Sequence, residues 1–127
     1  PEIYARDIDS EAVELTAENA RIAGVGRFIH VEKGDAADFY SDKKYGAIIC
    51  NPPYGERLSD KRECEKLYAK IGKSFSHLDE WSYYILTSNE NFESIFGRKA
   101  DKRRKLYNGM IKCSVYQYFG ARPPKLN

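Results

Sequence analysis

The sequence predicts an α/β fold of the doubly wound kind, a sheet that is mostly parallel and ends in an antiparallel C-terminal hairpin. Three observations lead there. Segments that read as strands alternate with segments whose apolar residues recur at helical spacing. The run Ala47-Ile48-Ile49-Cys50 is continuously apolar, as suits a strand covered by helices on both faces. Asn108-Gly109 lies between two strand-like runs, the strongest short-range hairpin signal.

Each element follows in order. Residues 1–6 read as a strand, and Arg6-Asp7-Ile8-Asp9-Ser10-Glu11 turns into a helix with apolar positions Val13, Ala17, Ala20 and Ile22. Asp9 or Ser10 can cap that helix, Glu11 suits its positive end, and Gly24 or Gly26 stops it. A short strand is predicted at Phe28 to Glu32, then a turn at Lys33-Gly34-Asp35-Ala36 and a charged stretch to Lys44. Tyr45 to Cys50 reads as a buried strand, and Asn51-Pro52-Pro53-Tyr54-Gly55 as the turn that ends it. Leu67, Ile71, Ser74 and Leu78 keep a helical rhythm over Glu63 to Leu78. Trp81 to Thr87 is the next strand, Asn91 to Phe96 at most a turn or two of helix, and Arg103 to Tyr107 with Met110 to Phe119 the hairpin. A doubly wound sheet also needs a first strand followed by a glycine-rich turn, and none of these residues supplies one. The sequence is therefore expected to be a fragment of one domain.

Composition excludes several classes. With 127 residues, 42% of them hydrophobic, the chain is the size of one globular domain. Cys50, Cys64 and Cys113 are far apart and form no metal-binding pair, so a reduced cytoplasmic protein without a metal is expected. No apolar run is long enough to span a bilayer. His30 and His77 have no acid or nucleophile at a recognisable spacing. The balance of 21 basic and 19 acidic side chains hides a cluster, Arg98, Lys99, Lys102, Arg103, Arg104 and Lys105, that reads either as a solvated face or as a contact for RNA phosphates.

The most informative string is Ile48-Ile49-Cys50-Asn51-Pro52-Pro53-Tyr54. It resembles the Asn/Asp-Pro-Pro-Tyr signature of methyltransferases that act on amino nitrogens, and the chemistry explains the residue types. An exocyclic amine is a poor nucleophile because its lone pair is delocalised. Two acceptors, the Asn51 side-chain oxygen and the Pro52 carbonyl, can take its two N–H groups and leave the lone pair aimed at a methyl group, with Pro52 and Pro53 fixing the chain direction. Tyr54 offers a face for a flipped base. Upstream, Asp7 at a strand end can accept from both hydroxyls of a ribose, with Ile8 against an adenine face. Asp35, followed by Ala36, can accept from an adenine amino group or can simply cap a turn.

Taken together, Asp7-Ile8-Asp9, Glu18-Asn19-Ala20, Ala23-Gly24-Val25, Gly34-Asp35-Ala36, the string Asn51 to Leu58 with its Glu56-Arg57-Leu58 extension, and Leu106 to Cys113 make the chain similar to the THUMP-associated RNA methyltransferases. That resemblance implies a Rossmann-like class I fold using S-adenosylmethionine, and a preceding RNA-binding THUMP region outside this sequence. It implies Asn51, Pro52, Pro53 and Tyr54 as catalytic residues and Asp7, Ile8, Asp35, Ala36 and Asn51 at the cofactor. It also implies ribosomal RNA, at guanine N2, as substrate, with Arg57, Arg103, Arg104 and Lys105 toward the RNA. DNA adenine or protein glutamine as acceptor, and a non-catalytic RNA-binding module, stay open at this point.

Overall fold

The computed structural model describes residues 2–55 and 58–125. It divides into two compact units, Pro1–Phe39 and Tyr40–Asn127.

The first unit is a βαβ element. Strand β1 (Ile3–Asp7) lies parallel to β2 (Ile29–Lys33), with Ile3 opposite Ile29 and Asp7 opposite Lys33, and helix α1 (Ser10–Ile22) joins them. The helix starts where it does because the Asp9 side chain accepts from the Glu11 N–H at 3.0 Å, so Asp9 and not Ser10 is the cap. It ends at Ala23, followed by Gly24 at φ +76°. Ala20 is the one buried apolar side chain among the unit's described residues, while Ile3, Leu15, Ile22 and Phe28 are exposed.

The second unit holds a four-stranded sheet in the order β3-β4-β6-β5, from β3 (Ala47–Cys50), β4 (Ser82–Thr87), β5 (Lys102–Asn108) and β6 (Ile111–Tyr118). β3 and β4 are parallel and β6 runs against both its neighbours, so the antiparallel strand is an inner one and β5 forms the edge. Helix α2 (Leu58–Phe75) and the short α3 (Phe92–Phe96) complete the unit. Tyr45 falls outside β3, at φ 65°. The expectation that β3 is buried on both faces is corrected: Ile49 is 89% exposed, while Ile48 and Cys50 are half-buried, because no described element of this unit covers the Ile49 face.

The core of this unit is aromatic. Cys64, Tyr68, Ile71 and Phe75 form the buried stripe of α2, one residue out of step with the Leu67 and Ser74 expected from the aliphatic rhythm. The rings win because they have partners: Tyr68 meets Phe92 edge-on at 5.2 Å, Phe75 meets Tyr83 at 5.4 Å, and Phe92 and Phe96 stack at 5.0 Å. Tyr116 and Tyr118 of β6 join them at 4.9 Å from Phe92 and Phe96. The two helices approach so closely that a Cβ on Gly72 would meet the backbone of Phe96. The hairpin turn also departs by one residue from the expected Asn-Gly. It consists of Gly109 (φ +64°) and Met110, and Asn108 is the last residue of β5, opposite Ile111. Glycine at the first turn position accommodates the positive φ, which leaves the Asn108 side chain to work on the sheet.

Candidate functional site

Asp7 is the last residue of β1, opposite Lys33 at the end of β2, and Asp35 follows two residues beyond that parallel strand, so both acids lie at the C-terminal edge of the first unit's sheet. The Gly34 N–H donates to the Asp7 carbonyl at 2.9 Å, and Arg6 donates through Nε to the Asp35 carbonyl at 3.2 Å. Arg6 also pairs with Glu32 at 3.1 Å, so this one side chain ties β1 to β2 and to the turn after it. Each acid uses one oxygen locally: Asp7 Oδ1 accepts from the Asp9 N–H and Asp35 Oδ1 from the Ala37 N–H, both at 2.9 Å. A carboxylate has a second oxygen to offer, and Asp7 is exposed. Ile8 is 66% exposed rather than core. Ala36 opens the single helical turn that Asp35 caps.

In the second unit, β3 delivers its chain directly into the Asn51–Gly55 loop, in which Pro52 is buried and Asn51 is exposed. Tyr54 donates its hydroxyl to Asn51 Oδ1 at 2.9 Å and receives Asn108 Nδ2 at 3.4 Å. The amide oxygen of Asn51 has two lone pairs, so one remains for another donor. Tyr68, with no exposed surface, donates to the Pro53 carbonyl at 2.6 Å. Its single proton is thereby used, and the 3.0 Å contact with Thr87 Oγ1 must have Thr87 as donor. Thr87 in turn accepts the Asn89 N–H at 3.1 Å, and Asn89 Nδ2 reaches Glu65 at 2.8 Å. Burial of the Tyr68 phenol pushes its pKa up to about 12, so it stays a proton donor at any ordinary pH.

Tyr68 and Thr87 belong to no motif, and Asn108 reads in the sequence only as part of a hairpin turn, so their roles beside the loop come from partners distant in sequence. The signal for Tyr68 was the ring at the i+4 position after Cys64, overlooked beside Leu67. Burial pushes the Cys50 thiol up to about 11, which removes it as a nucleophile near neutrality. His30 stacks on Tyr4 at 4.9 Å. Among the described residues no three His, Cys, Asp or Glu side chains gather into a metal site, and no helix is long and apolar enough to cross a membrane.

The basic cluster is divided. Arg103 is drawn to Glu93 at 3.4 Å and Arg98 to Asp101 at 3.7 Å, whereas Arg104 and Lys105 are exposed without an ion-pair partner among the described residues. Arg57 and Glu56 lie outside the described residues. A cleft of about 490 Å³ lined by Gly72, Trp81, Tyr83, Phe96, Arg98 and Gly120 opens at the start of β4, the opposite end of the sheet from Asn51.

A family model described as "RMKL-like, methyltransferase domain" (UPF0020) matches residues 1–117. "Putative RNA methyltransferase YpsC" of Bacillus subtilis (strain 168) is 48% identical over 123 residues, 97% of this chain and 32% of that protein. "Ribosomal RNA large subunit methyltransferase K/L" of Hahella chejuensis is 34% identical over 127 residues, 95% of this chain and 18% of that protein. The chain thus spans about a third or less of these relatives. A crystal structure of "a possible methylase" from Clostridium difficile 630 superposes with TM-score 0.92 at 52% identity, over 98% of this chain and 33% of the other. That of SMU.472, complexed with SAH, gives 0.90 at 43% identity, over 96% and 32%.

Proposed function

Because the chain belongs to the RMKL-like methyltransferase domain family, we propose that it is the C-terminal portion of an S-adenosylmethionine-dependent methyltransferase domain that modifies an exocyclic amino nitrogen of an RNA base. The single observation that carries this reading is the Asn51–Tyr54 loop, delivered by β3 and held from behind by the buried Tyr68 hydroxyl on the Pro53 carbonyl. A loop whose work is to aim two acceptors at one amine must not drift, and a 2.6 Å bond from a fully buried ring restrains it.

The chemistry then divides by residue. The Asn51 oxygen and the Pro52 carbonyl accept the two amine hydrogens and free the nitrogen lone pair. Tyr54 gives up its bond to Asn51 to stack on the base, which releases the second Asn51 lone pair. S-adenosylmethionine, when bound, supplies an electrophilic methyl group. Asp7, through the carboxylate oxygen not bonded to the Asp9 N–H, accepts from ribose hydroxyls; Ile8 lies against the adenine and Asp35 with Ala36 receives its amino edge. The amine proton leaves after transfer, so no strong base is needed. Similarity to a protein named as a large-subunit ribosomal RNA methyltransferase favours ribosomal RNA, and guanine N2 is the acceptor we infer. Arg57, Arg104 and Lys105 are assigned to the phosphates, Arg103 being partly neutralised by Glu93. The uncovered apolar side chains Ile3, Ile22, Phe28 and Ile49 support a larger parent domain.

The test is product identification. A protein containing the whole methyltransferase domain is given labelled S-adenosylmethionine and unmodified ribosomal RNA, DNA or release factor, and each pool is digested. Label in N2-methylguanine of RNA is expected. Label in DNA adenine or in glutamine would replace the substrate, and no label with no cofactor binding would leave a non-catalytic module.

A further inference from the structure

We propose that the tip of the β5–β6 hairpin, Tyr107 flanked by Lys105 and Lys112, is a docking surface for the nucleotide next to the target in single-stranded RNA. The proposal rests on the RNA reading above and names which part of this chain grips the flanking strand.

Register makes the surface. Tyr107 lies directly opposite Lys112, and Lys105, two residues earlier on the same strand, points to the same face. Tyr107 is 68% exposed and Met110, in the turn beside it, 99% exposed. An isolated exposed aromatic is ordinary, but this one stands at the strand end that meets the candidate catalytic loop: Asn108, the next residue and on the opposite face of β5, donates to the Tyr54 hydroxyl at 3.4 Å, and Tyr54 donates to Asn51 at 2.9 Å, so a strand passing over the tip from the Tyr107 face leads to that loop. Charge says what lies on it. From Lys102 to Tyr118 the sequence carries five cationic side chains, Lys102, Arg103, Arg104, Lys105 and Lys112, and no carboxylate. A flat ring between two ammonium groups matches a base between two phosphates, and the stacking is tolerant of base identity. The hairpin therefore holds the strand while the Asn51 loop addresses one base of it.

The experiment reads binding without turnover. Fluorescence anisotropy of a labelled single-stranded RNA is followed with a protein containing the whole methyltransferase domain, in the presence of S-adenosylhomocysteine. Tyr107→Ala is expected to weaken binding by about tenfold or more, with Tyr107→Phe close to the unaltered protein. Lys105→Ala with Lys112→Ala should make the slope of log affinity against log salt shallower by about 1.4. Unchanged affinity in Tyr107→Ala overturns the proposal whatever the salt slope, as a tip reserved for a protein partner would require. RNA binding that depends on Tyr107 without any methyl transfer would reject the catalytic reading and keep this one. Methyl transfer to RNA with Tyr107→Ala binding unaltered would do the reverse.

Discussion

Tyr68 is the residue on which the geometry of the second unit turns. Its hydroxyl links the Pro53 carbonyl to Thr87, and removing it leaves the buried Thr87 hydroxyl without its acceptor and the Pro53 carbonyl, in an exposed loop residue, without its donor. Tyr68→Phe should therefore cost about 1–3 kcal/mol in chemical denaturation. It should also lower kcat more than it changes cofactor affinity, since Asp7 and Asp35 belong to the other unit. Cys50 gives a pH prediction. Burial raises its thiol from 9.0 to about 11, so alkylation of the folded protein should be slow at neutral pH and accelerate only as pH approaches 11. The folded state holds this proton more tightly than the unfolded chain, so the associated stability is complete below pH 9 and is lost as pH rises from 9 to 11. The placement of Asp7 as the last residue of β1 and of Asn51 directly after β3 was legible in the sequence, because an apolar run giving way to polar and proline residues marks the end of a strand. Tyr68 and Asn108 were not, because a buried hydroxyl or a strand-end amide acquires its role only through a partner distant in sequence, Pro53 and Tyr54 respectively.

At the scale of elements, the α2–α3 contact sets where Tyr68 stands. A Cβ on Gly72 would meet the Phe96 backbone, which cannot yield as a side-chain end could. Gly72→Ala should cost about 1–3 kcal/mol, seen as a lower thermal midpoint. An unchanged midpoint would mean that the two helices separate freely. The order of elements was readable from periodicity, and the boundaries mostly followed. The buried side of α2 was legible in part: Ile71, and Leu78 just past the helix, are buried as the rhythm predicts, while stacked rings put Tyr68 and Phe75 where Leu67 and Ser74 were expected. The hairpin slipped by one residue for a similar reason. Asn-Gly is a strong turn signal, yet Gly109-Met110 makes the turn and Asn108 pairs within the sheet.

At the scale of the molecule, the strands fall into two sheets, β1-β2 and β3-β4-β6-β5, and the first unit buries one apolar side chain among its described residues. Such a unit has little core of its own. The 127 residues alone should show no methyl transfer, whereas a protein containing the whole domain should; activity from the isolated chain would contradict this directly. The family was legible because several short strings spread along the chain, the Asn51 to Leu58 run above all, point to the same one, and the family model matches residues 1–117; the acceptor base was not, because on the function proposed above nothing in the Asn51 loop would distinguish one exocyclic amine from another. Whether the Asn51 loop orients the amine is read by a single-turnover measurement of methyl transfer to RNA by the whole domain with Asn51→Ala, alongside its affinity for S-adenosylhomocysteine. We predict transfer reduced by about a hundredfold or more, with a much smaller loss of cofactor affinity, since Asn51 is one of five residues assigned to the cofactor and Asp7, Ile8, Asp35 and Ala36 stay in place. Transfer at the unaltered rate would contradict the account, because the amine would then be oriented by something other than this loop.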